Sequence, residues 1–359
     1  MSIVVGPAPV ATAEDFATIG ELPLLAEQKL AREIWDYCAG GSASEATLRR
    51  NRRALERLAL VQRVLVDVRQ VNLSTSFLGL DLPLPVLVAP MGSLYRFCPE
   101  GDLQMAIGAG RAGALSTVSG VCGWPMEQMA AEGGGPLVFQ LYYHGPREWV
   151  AERLRRVESC PQYRAVCLTV DSAVYSRRDR DHFNRYRASS RAAAGQTPEP
   201  SGPDHDVPAS LTWDDVDWLK RQVHLPFGLK GINCVEDAAL AIDHGCDFIW
   251  VSNHGGRQLD DGEATIDTLP RIADEVAGRL PIVVDGGFVR GTEVMKGLAL
   301  GATMVAVGKI AACALAVGGA GAVERLLGLL REELRIGLAL SGNTAVQALG
   351  PSQIRRTEA

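Results

Sequence analysis

The stretch Phe248-Ile-Trp-Val-Ser-Asn-His-Gly-Gly-Arg257 joins an apolar run to a glycine-hinged turn that carries two reactive side chains. Four large apolar residues in succession are typical of a buried strand, and the glycine pair ends it in a turn. Such a turn would present His254 and Arg257 at the C-terminal end of the strand, where barrel enzymes hold their catalytic residues. An imidazole beside a guanidinium indicates proton abstraction from a substrate that carries a carboxylate. A pattern this short also fits a solvated surface turn, so the choice between a catalytic site and a surface turn depends on the rest of the sequence.

Seven further short apolar runs occur along the chain, and most are separated by amphipathic segments with acidic starts. Strands that alternate with helices predict a parallel α/β fold, and eight such units predict a (β/α)8 TIM barrel. We predict one domain over residues 1–359, with the barrel core at about 86–310. The predicted strands are Val86–Pro90, Ala114–Ser119, Leu137–Tyr142, Ala165–Asp171, Phe227–Gly231, Phe248–His254, Ile282–Gly287 and Met304–Lys309. The predicted helices between them are Glu100–Ala112, Glu148–Val157, Val235–His244, Ile266–Ala277 and Gly291–Leu300.

Helical additions and one long loop are predicted around this barrel. Leu22–Gly40 and Glu45–Leu58 have helical patterns before it, and Ala322–Leu340 has one after it. The regular spacing is broken after the fourth strand, where residues 172–226 intervene with a middle, Ala192–Pro208, rich in glycine, proline and serine. We expect this segment to be a mobile excursion over the barrel mouth.

Composition indicates a soluble, cytoplasmic protein. The formal net charge of −6 and the pI near 5.6 argue against a nucleic-acid surface. The eight cysteines form no CxxC pair and lie in apolar stretches, as reduced thiols do, and no metal-binding pattern is present. The N-terminus lacks an export signal, and the longest uncharged apolar stretch, Ile310–Val323, is short and interrupted by glycine. We therefore predict neither export nor a membrane span.

If the barrel forms, polar side chains at the carboxyl ends of neighbouring strands converge on one site. Asp171 follows the fourth strand and would orient His254 and stabilise its imidazolium after proton uptake. Lys230 ends the fifth strand and would offer a cation to negative charge, such as that of a reduced flavin or an enolate. Strands three and four also contribute Gln140, Tyr142 and Thr169.

The last two predicted strands end in the glycine turns Asp285-Gly-Gly287 and Gly308-Lys309. Barrels bind phosphate at this position through backbone N–H groups and a helix N-terminus. Tight turns between a strand and a helix also need glycine, so the turns alone are only moderately specific. They indicate a cofactor that carries a phosphate.

Motifs of one known family occur in order along the chain. They are Trp35-Asp-Tyr-Cys-Ala-Gly-Gly41, Ala89-Pro90, Pro99-Glu-Gly101, Phe139-Gln-Leu-Tyr142, Leu168-Thr-Val-Asp171, Arg177-Arg178, Leu229-Lys-Gly231, Ser252-Asn-His-Gly-Gly-Arg-Gln258, Asp285-Gly-Gly287 and Leu298-Ala-Leu-Gly-Ala302. On these residues, from about Phe16 to Gly350, the chain resembles the FMN-dependent 2-hydroxy acid dehydrogenases and oxidases, the family of glycolate oxidase, lactate oxidase and mandelate dehydrogenase.

The resemblance implies oxidation of an (S)-2-hydroxy acid to the 2-keto acid, with FMN as cofactor. His254 would take the 2-hydroxyl proton while hydride passes from Cα to flavin N5, and a route through a Cα carbanion stays open for the same residues. Asp171 would partner His254, and Tyr142 would hydrogen-bond the substrate oxygen. The other substrate-binding residues would be Tyr37, Arg178, Arg257, Gly92 and Val121. The cofactor-binding residues would be Pro90, Met91, Ser119, Gln140, Thr169, Lys230, Ser252, Asp285, Gly286, Gly287, Gly308 and Lys309.

The chain departs from the family pattern at both ends of this site. Val289 and Lys309 each stand where an arginine is usual. Because a charge-assisted hydrogen bond contributes about 1.5–3 kcal/mol, we expect FMN to bind about ten-fold more weakly than usual, or worse. Met91-Gly92 replaces a common Thr-Ala pair, and Val121 replaces the tryptophan of short-chain oxidases. A roomier, less polar lining indicates an aromatic or long aliphatic 2-hydroxy acid, with mandelate-like compounds foremost.

Other functions fit parts of the pattern. A related FMN barrel that oxidises an amine carbon would explain the altered phosphate and ring-edge residues, but not Arg178, Arg257 and Tyr37 around one anion. A flavin-dependent isomerase or a flavin-free scaffold would leave the pair of His254 and Asp171 without a role. The resemblance also suggests a homotetramer, whereas the sequence does not say whether electrons pass to O2 or to another acceptor. We expect neither nucleic acid nor a membrane as partner.

Overall fold

In the computed structural model, which describes residues 16–186 and 208–357, three helices and three short strands precede the barrel. They are α1 (Glu21–Lys29), α2 (Arg32–Ala39), α3 (Ala46–Glu56), β1 (Leu58–Leu60), β2 (Thr75–Phe77) and β3 (Leu80–Leu82). The prediction of one helix over Leu22–Gly40 is wrong, because Leu30 is extended (φ −83°, ψ 145°) and separates α1 from α2. The three strands were not predicted from the sequence.

Eight of the described strands are parallel and close into a barrel, so the predicted (β/α)8 fold is confirmed. They are β4 (Val86–Val88), β5 (Leu115–Ser119), β6 (Leu137–Leu141), β7 (Tyr163–Thr169), β8 (Phe227–Ile232), β9 (Phe248–Val251), β10 (Ile282–Val284) and β11 (Met304–Val307). Their order around the barrel is that of the chain, with β11 pairing with β4 to close the ring.

Most of these strands end before the polar residues that were predicted to lie in them. β9 ends at Val251, whereas the predicted strand extended to His254, which adopts the left-handed region instead (φ 57°). β4 and β11 likewise end two residues before the predicted ends, at Val88 and Val307. His254, Arg257, Asp171 and Asp285 therefore lie on loops just beyond the carboxyl ends of the strands, whereas Ser119, Gln140, Thr169 and Lys230 lie in the last residues of their strands.

Helices follow most barrel strands, and the five that were predicted agree with the structure to within one residue at each end. The structure adds short helices that the sequence reading missed, including one after β5. The helices between β4 and β11 are α4 (Gly101–Arg111), α5 (Met126–Glu132), α6 (Arg147–Glu158), α7 (Asp179–Phe183), α8 (Trp213–Gln222), α9 (Val235–Asp243), α10 (Thr265–Val276) and α11 (Gly291–Ala299).

The segment at residues 172–226 is not the uniform loop that was predicted. Its described parts contain α7 and α8, and α8 begins with a capping box in which the Thr212 N–H donates to Asp215 Oδ2 at 3.1 Å. This Thr-x-x-Asp signal was present in the sequence. Residues 187–207, which include nearly all of Ala192–Pro208, lie outside the described residues, so the predicted mobility remains a prediction.

One long helix, α12 (Lys309–Leu340), follows β11 and is interrupted by non-helical dihedral angles at Gly318 and Gly319. It begins well before the predicted Ala322. By length and composition it is apolar enough to cross a bilayer, but 72% of its most apolar window is buried inside the protein. It packs on α1, α4 and α11 as a core helix.

The barrel interior is filled by side chains and closed at its N-terminal end. Phe77, on the β2–β3 hairpin, is 2% exposed and its ring meets that of Phe248 edge to face at 5.7 Å. Trp250, Met304 and Leu87 belong to the same buried cluster. With one end plugged, the carboxyl ends of the strands form the accessible mouth.

Candidate active site

His254 and Asp171 form a hydrogen-bonded pair at the mouth of the barrel. His254 Nδ1 lies 2.9 Å from Asp171 Oδ1, and the side chains are only 20% and 12% exposed. The His254 N–H donates to Ser252 Oγ at 3.1 Å, which fixes the turn. Gly231 allows Asp171 to approach, since its φ is 113° and a Cβ there would lie 2.7 Å from Asp171 Cβ.

The surroundings set the charge of each partner. Burial opposes ionisation of Asp171, but the charge and hydrogen bond of His254, with Lys230, outweigh it and lower the pKa of Asp171. Burial lowers the pKa of His254 below its usual value, assisted by Lys230 and opposed by Asp171. At neutral pH the pair is therefore a carboxylate and a neutral imidazole, so Nδ1 carries the proton and Nε2 has a free lone pair.

Lys230 is a buried cation, 3% exposed, held by a polar network. Its Nζ donates to Ser252 Oγ at 3.0 Å and lies 3.5 Å from Asp285 Oδ2. Ser252 Oγ donates to Asp285 Oδ1 at 2.8 Å, and Trp250 Nε1 donates to Oδ2 at 2.9 Å. Burial opposes the charge, but Asp285 and Asp171 raise the pKa of Lys230, so the ammonium persists. Ser252, which is 0% exposed, thus links Lys230 to Asp285 through its hydroxyl.

The neighbouring strands carry buried polar atoms that have no hydrogen-bond partner. Ser119 Oγ donates to Gln140 Oε1 at 3.0 Å, which leaves Gln140 Nε2 unpaired, and Thr169 Oγ1 is unpaired as well. Thr169 lies opposite Lys230 in the β7–β8 ladder. Buried polar groups without partners are costly and call for a ligand. Two donors and a cation at one edge of the mouth fit the polar rim of a flavin ring.

The turns after β10 and β11 fit the phosphate of such a cofactor. Gly286 has a φ of 108°, and a Cβ there would lie 2.3 Å from Thr265 Oγ1, so only glycine is accommodated. Gly287 also has a positive φ (93°). Gly308 precedes the first turn of α12, whose N–H groups lack intrahelical acceptors. Its Cβ position is 3.9 Å from Met91 Sδ, which places this turn beside the β4 loop that contains Pro90.

The two positions that depart from the family pattern do not aim a cation at these turns. Lys309 Nζ donates to the carbonyl oxygens of Gly40 at 2.8 Å and Ala39 at 3.2 Å. Burial, with the nearby Arg257 charge, lowers the pKa of Lys309 to about 7. Val289 is partly buried against the core, and Arg290 pairs with Glu333 at 2.8 Å. Backbone N–H groups are thus the main phosphate donors that the structure offers.

Two guanidinium groups lie beside the histidine. Arg257 Nη1 donates to the Tyr37 and Gly40 carbonyl oxygens, and its guanidinium lies 4.6 Å from the Tyr37 ring centroid. Arg178 is 7% exposed, and burial and the charge of Arg257 lower its pKa. Within the described residues neither arginine forms a close ion pair with a carboxylate, although the Asp181 carboxylate acts electrostatically on both. Two adjacent cations that share a single nearby carboxylate keep an excess of positive charge, which attracts an anion.

The remaining predicted residues lie around the same mouth. Burial raises the pKa of Tyr142 to about 12, with Lys230, Asp171, Tyr37 and Arg178 as its charged or polar neighbours, so its phenol stays a donor. A Cβ on Gly92 would lie 3.0 Å from Val121 Cγ2, so these two residues share one wall.

Sequence reasoning missed several residues of the site. Asn51 exchanges side-chain hydrogen bonds with Asn253 at 2.8 and 2.9 Å and so supports the turn from α3. Tyr175 and Ser176 contact the arginines. Their position next to the Arg177-Arg178 motif was the available signal.

A barrel that combines the His254–Asp171 pair, the buried Lys230 cation and glycine turns suited to a phosphate has the features of the FMN-dependent oxidoreductases. The family model for FMN-dependent dehydrogenases matches residues 26–356, and the chain belongs to that family. It is 37% identical to glycolate oxidase 3 of Oryza sativa subsp. indica, over 93% of this chain and 94% of that one. It is 38% identical to an L-lactate oxidase of Nostoc sp., over 92% and 96% respectively. A solved structure of mandelate oxidase with (S)-2-phenylpropionate has 36% identity and a TM-score of 0.87, covering 95% of this chain and 98% of that one.

We expect Val289→Arg to lower the dissociation constant for FMN about ten-fold, because it restores a charge-assisted hydrogen bond to the phosphate. Titration of the apoprotein with FMN, followed by quenching of flavin fluorescence, measures the effect. Val289→Met is the matched control, since it adds a long stem without charge. Equal dissociation constants for the two variants would show that position 289 does not reach the phosphate.

Proposed function

We propose that the protein oxidises (S)-2-hydroxy acids with an aromatic or bulky side chain to 2-keto acids, using FMN. The observation that carries the proposal is the 2.9 Å contact of His254 with Asp171 beside two guanidinium groups, neither of which is engaged in a close ion pair with a carboxylate in the described part of the chain. A base and an anion clamp at one point match a substrate whose hydroxyl and carboxylate are on adjacent carbons.

The residues act on the substrate in distinct ways. His254 Nε2 accepts the 2-hydroxyl proton, and Asp171 stabilises the resulting imidazolium through Nδ1. FMN, when bound, accepts the two electrons that leave the substrate carbon. Lys230 supplies positive charge at the ring edge, with Gln140 Nε2 and Thr169 Oγ1 as donors there.

Other residues at the barrel mouth bind and orient the substrate. Arg257 and Arg178 hold the carboxylate, and Tyr37 contributes its hydroxyl. Tyr142, which stays protonated, donates to the substrate oxygen. Fixing the carboxylate at two points orients the hydroxyl toward His254 and removes rotational freedom before reaction.

The wall formed by Gly92 and Val121 supports a large substrate side chain. Neither residue brings a polar side chain, and a Cβ at position 92 would lie only 3.0 Å from Val121 Cγ2, so the absence of a side chain on Gly92 leaves this wall open. Relatives that act on glycolate and on lactate have similar identity to this chain, so identity alone does not choose a substrate. The structural similarity to mandelate oxidase is compatible with the aromatic choice.

We expect kcat/KM for (S)-mandelate to exceed that for glycolate by about 10–200-fold for each apolar contact that the phenyl ring makes with this wall and that glycolate cannot make. Steady-state oxidation of both acids with an artificial electron acceptor measures this ratio. Val121→Trp is expected to reverse the preference by filling the wall, and Val121→Ile controls for added bulk without a ring. Comparable turnover of glycolate and failure on mandelate-type acids would refute the proposed side-chain preference.

We further propose that O2 reoxidises the flavin and that the enzyme is a cytoplasmic homotetramer. The oxidase names of the similar proteins support the acceptor, and the acidic composition supports the location. Measurement of oxygen uptake tests O2 as the electron acceptor, and light scattering tests the homotetramer. An amine-oxidising function is disfavoured, because a substrate without a carboxylate leaves Arg178 and Arg257 unused.

A further inference from the structure

The loop after β7 joins the two arginines of the anion site. Ser176 Oγ donates to the Arg257 carbonyl oxygen and accepts from Arg178 Nε at 3.3 Å. Arg178 Nη1 donates to the Tyr175 hydroxyl at 3.0 Å. The consecutive residues Tyr175 and Ser176 therefore each accept a hydrogen bond from the Arg178 guanidinium, at Nη1 and Nε respectively.

Tyr175 also covers Arg178. The Arg178 guanidinium lies 4.6 Å from the centroid of the Tyr175 ring, within the range of a cation–π contact. Tyr175 is 66% exposed while Arg178 is 7% exposed, so the ring stands between the cation and solvent. Tyr175 is thus at the entrance to the anion site.

The Tyr175 hydroxyl retains a proton that it can donate. The oxygen accepts from Arg178, and among the described residues no acceptor for the hydroxyl proton is found. Partial desolvation of the hydroxyl, against the opposing effect of Arg178, raises the pKa of Tyr175, so the phenol is protonated at neutral pH. Tyr37 and Arg257 also act on it electrostatically, so all three predicted carboxylate ligands, with Arg178, lie near Tyr175.

We propose that Tyr175 is a substrate-binding residue whose hydroxyl donates a hydrogen bond to the carboxylate held by Arg178, and whose ring closes the entrance over it. The Tyr175 hydroxyl would then accept a hydrogen bond from the Arg178 guanidinium and donate one to the carboxylate. Hydrogen bonds in such a chain polarise and strengthen each other. This inference rests on the proposed function, because it takes the occupant of the anion site to be the substrate carboxylate.

The test compares a carboxylate with its neutral amide in the FMN-loaded protein. Phenylacetate and phenylacetamide lack the 2-hydroxyl and cannot be oxidised, so their dissociation constants can be measured from the perturbation of the flavin spectrum. We expect Tyr175→Phe to weaken phenylacetate about ten-fold and to leave phenylacetamide unchanged, because only the charged ligand loses a charge-assisted hydrogen bond. Val174→Ala is the control for disturbance of the loop, since Val174 is 67% exposed and adjacent.

The outcomes separate this inference from the proposed function. Equal weakening of both ligands, or no weakening of either, overturns the role of the Tyr175 hydroxyl, as does failure of the unsubstituted protein to prefer the carboxylate. If the ligands behave as expected but no 2-hydroxy acid reduces the flavin, the Tyr175 contact stands and the proposed reaction fails. With (S)-mandelate, Tyr175→Phe is expected to raise KM about ten-fold with little change in kcat, as for loss of uniform binding.

Discussion

Replacement of His254 by glutamine is expected to slow reduction of the flavin by a 2-hydroxy acid about 10²–10⁴-fold, the contribution typical of a positioned general base. Glutamine has a similar reach but cannot accept the proton. The 2.9 Å contact with Asp171 leaves Nε2 as the atom that acts on the substrate. Stopped-flow measurement of flavin bleaching without oxygen gives the rate, and FMN binding should be unchanged because His254 is not among its predicted ligands.

Asp171→Asn provides the matched variant for this prediction. It keeps the size of the side chain but removes the charge that stabilises the imidazolium, so it should also reduce the rate strongly. Because the two residues act as a unit, the double variant should be little slower than His254→Gln alone. Bleaching at the unsubstituted rate in His254→Gln would show that another group removes the proton.

Arg257→Met is expected to lower kcat/KM for a 2-hydroxy acid by a free energy of about 2–5 kcal/mol, roughly 30- to 5,000-fold. Methionine retains an apolar stem against the Tyr37 ring but removes the guanidinium, which lies 4.6 Å from that ring. The same substitution should affect the methyl ester of the acid much less, since the ester has no charge to bind. Steady-state kinetics with acid and ester measure the difference.

Arg177→Met is the control for Arg257→Met. Arg177 precedes Arg178 in the chain but is 71% exposed and pairs with Asp179 at 3.2 Å, so its removal changes the charge without touching the site. We expect it to have little effect on kcat/KM. Equal losses for acid and ester in Arg257→Met would indicate a structural role, through its hydrogen bonds to the Tyr37 and Gly40 carbonyl oxygens.

The fold could be predicted because several barrel strands are short apolar runs that the burial of both faces leaves uninterrupted, as in β4, β9, β10 and β11. β9, for example, is Phe248–Val251 and is fully buried. The approximate site followed from topology, since parallel strands bring their carboxyl ends together. His254 and Asp171, which are 83 positions apart in the chain, could be paired on that ground alone.

The details that escaped prediction depend on long-range contacts. Lys309 was assigned to the cofactor, but the structure attaches its amine to carbonyl oxygens at the end of α2, a helix far away in the sequence. The strands of the β2–β3 hairpin are only three residues long, and Phe77 on this hairpin packs edge to face against Phe248, a contact between distant parts of the chain. Tyr175 lies next to the Arg177-Arg178 motif but outside it, and its contact with Arg178 is what assigns it to the site.

The proposed reaction is oxidation of a 2-hydroxy acid by FMN, with His254 as the base and the two arginines as ligands of the carboxylate. Its most direct test is anaerobic mixing of the FMN-supplemented protein with (S)-mandelate and other 2-hydroxy acids while the visible flavin absorbance is recorded. The expected result is first-order bleaching by one or more acids, lost in His254→Gln, and recovery of the absorbance when air is admitted. Bound FMN that no acid bleaches would contradict the account.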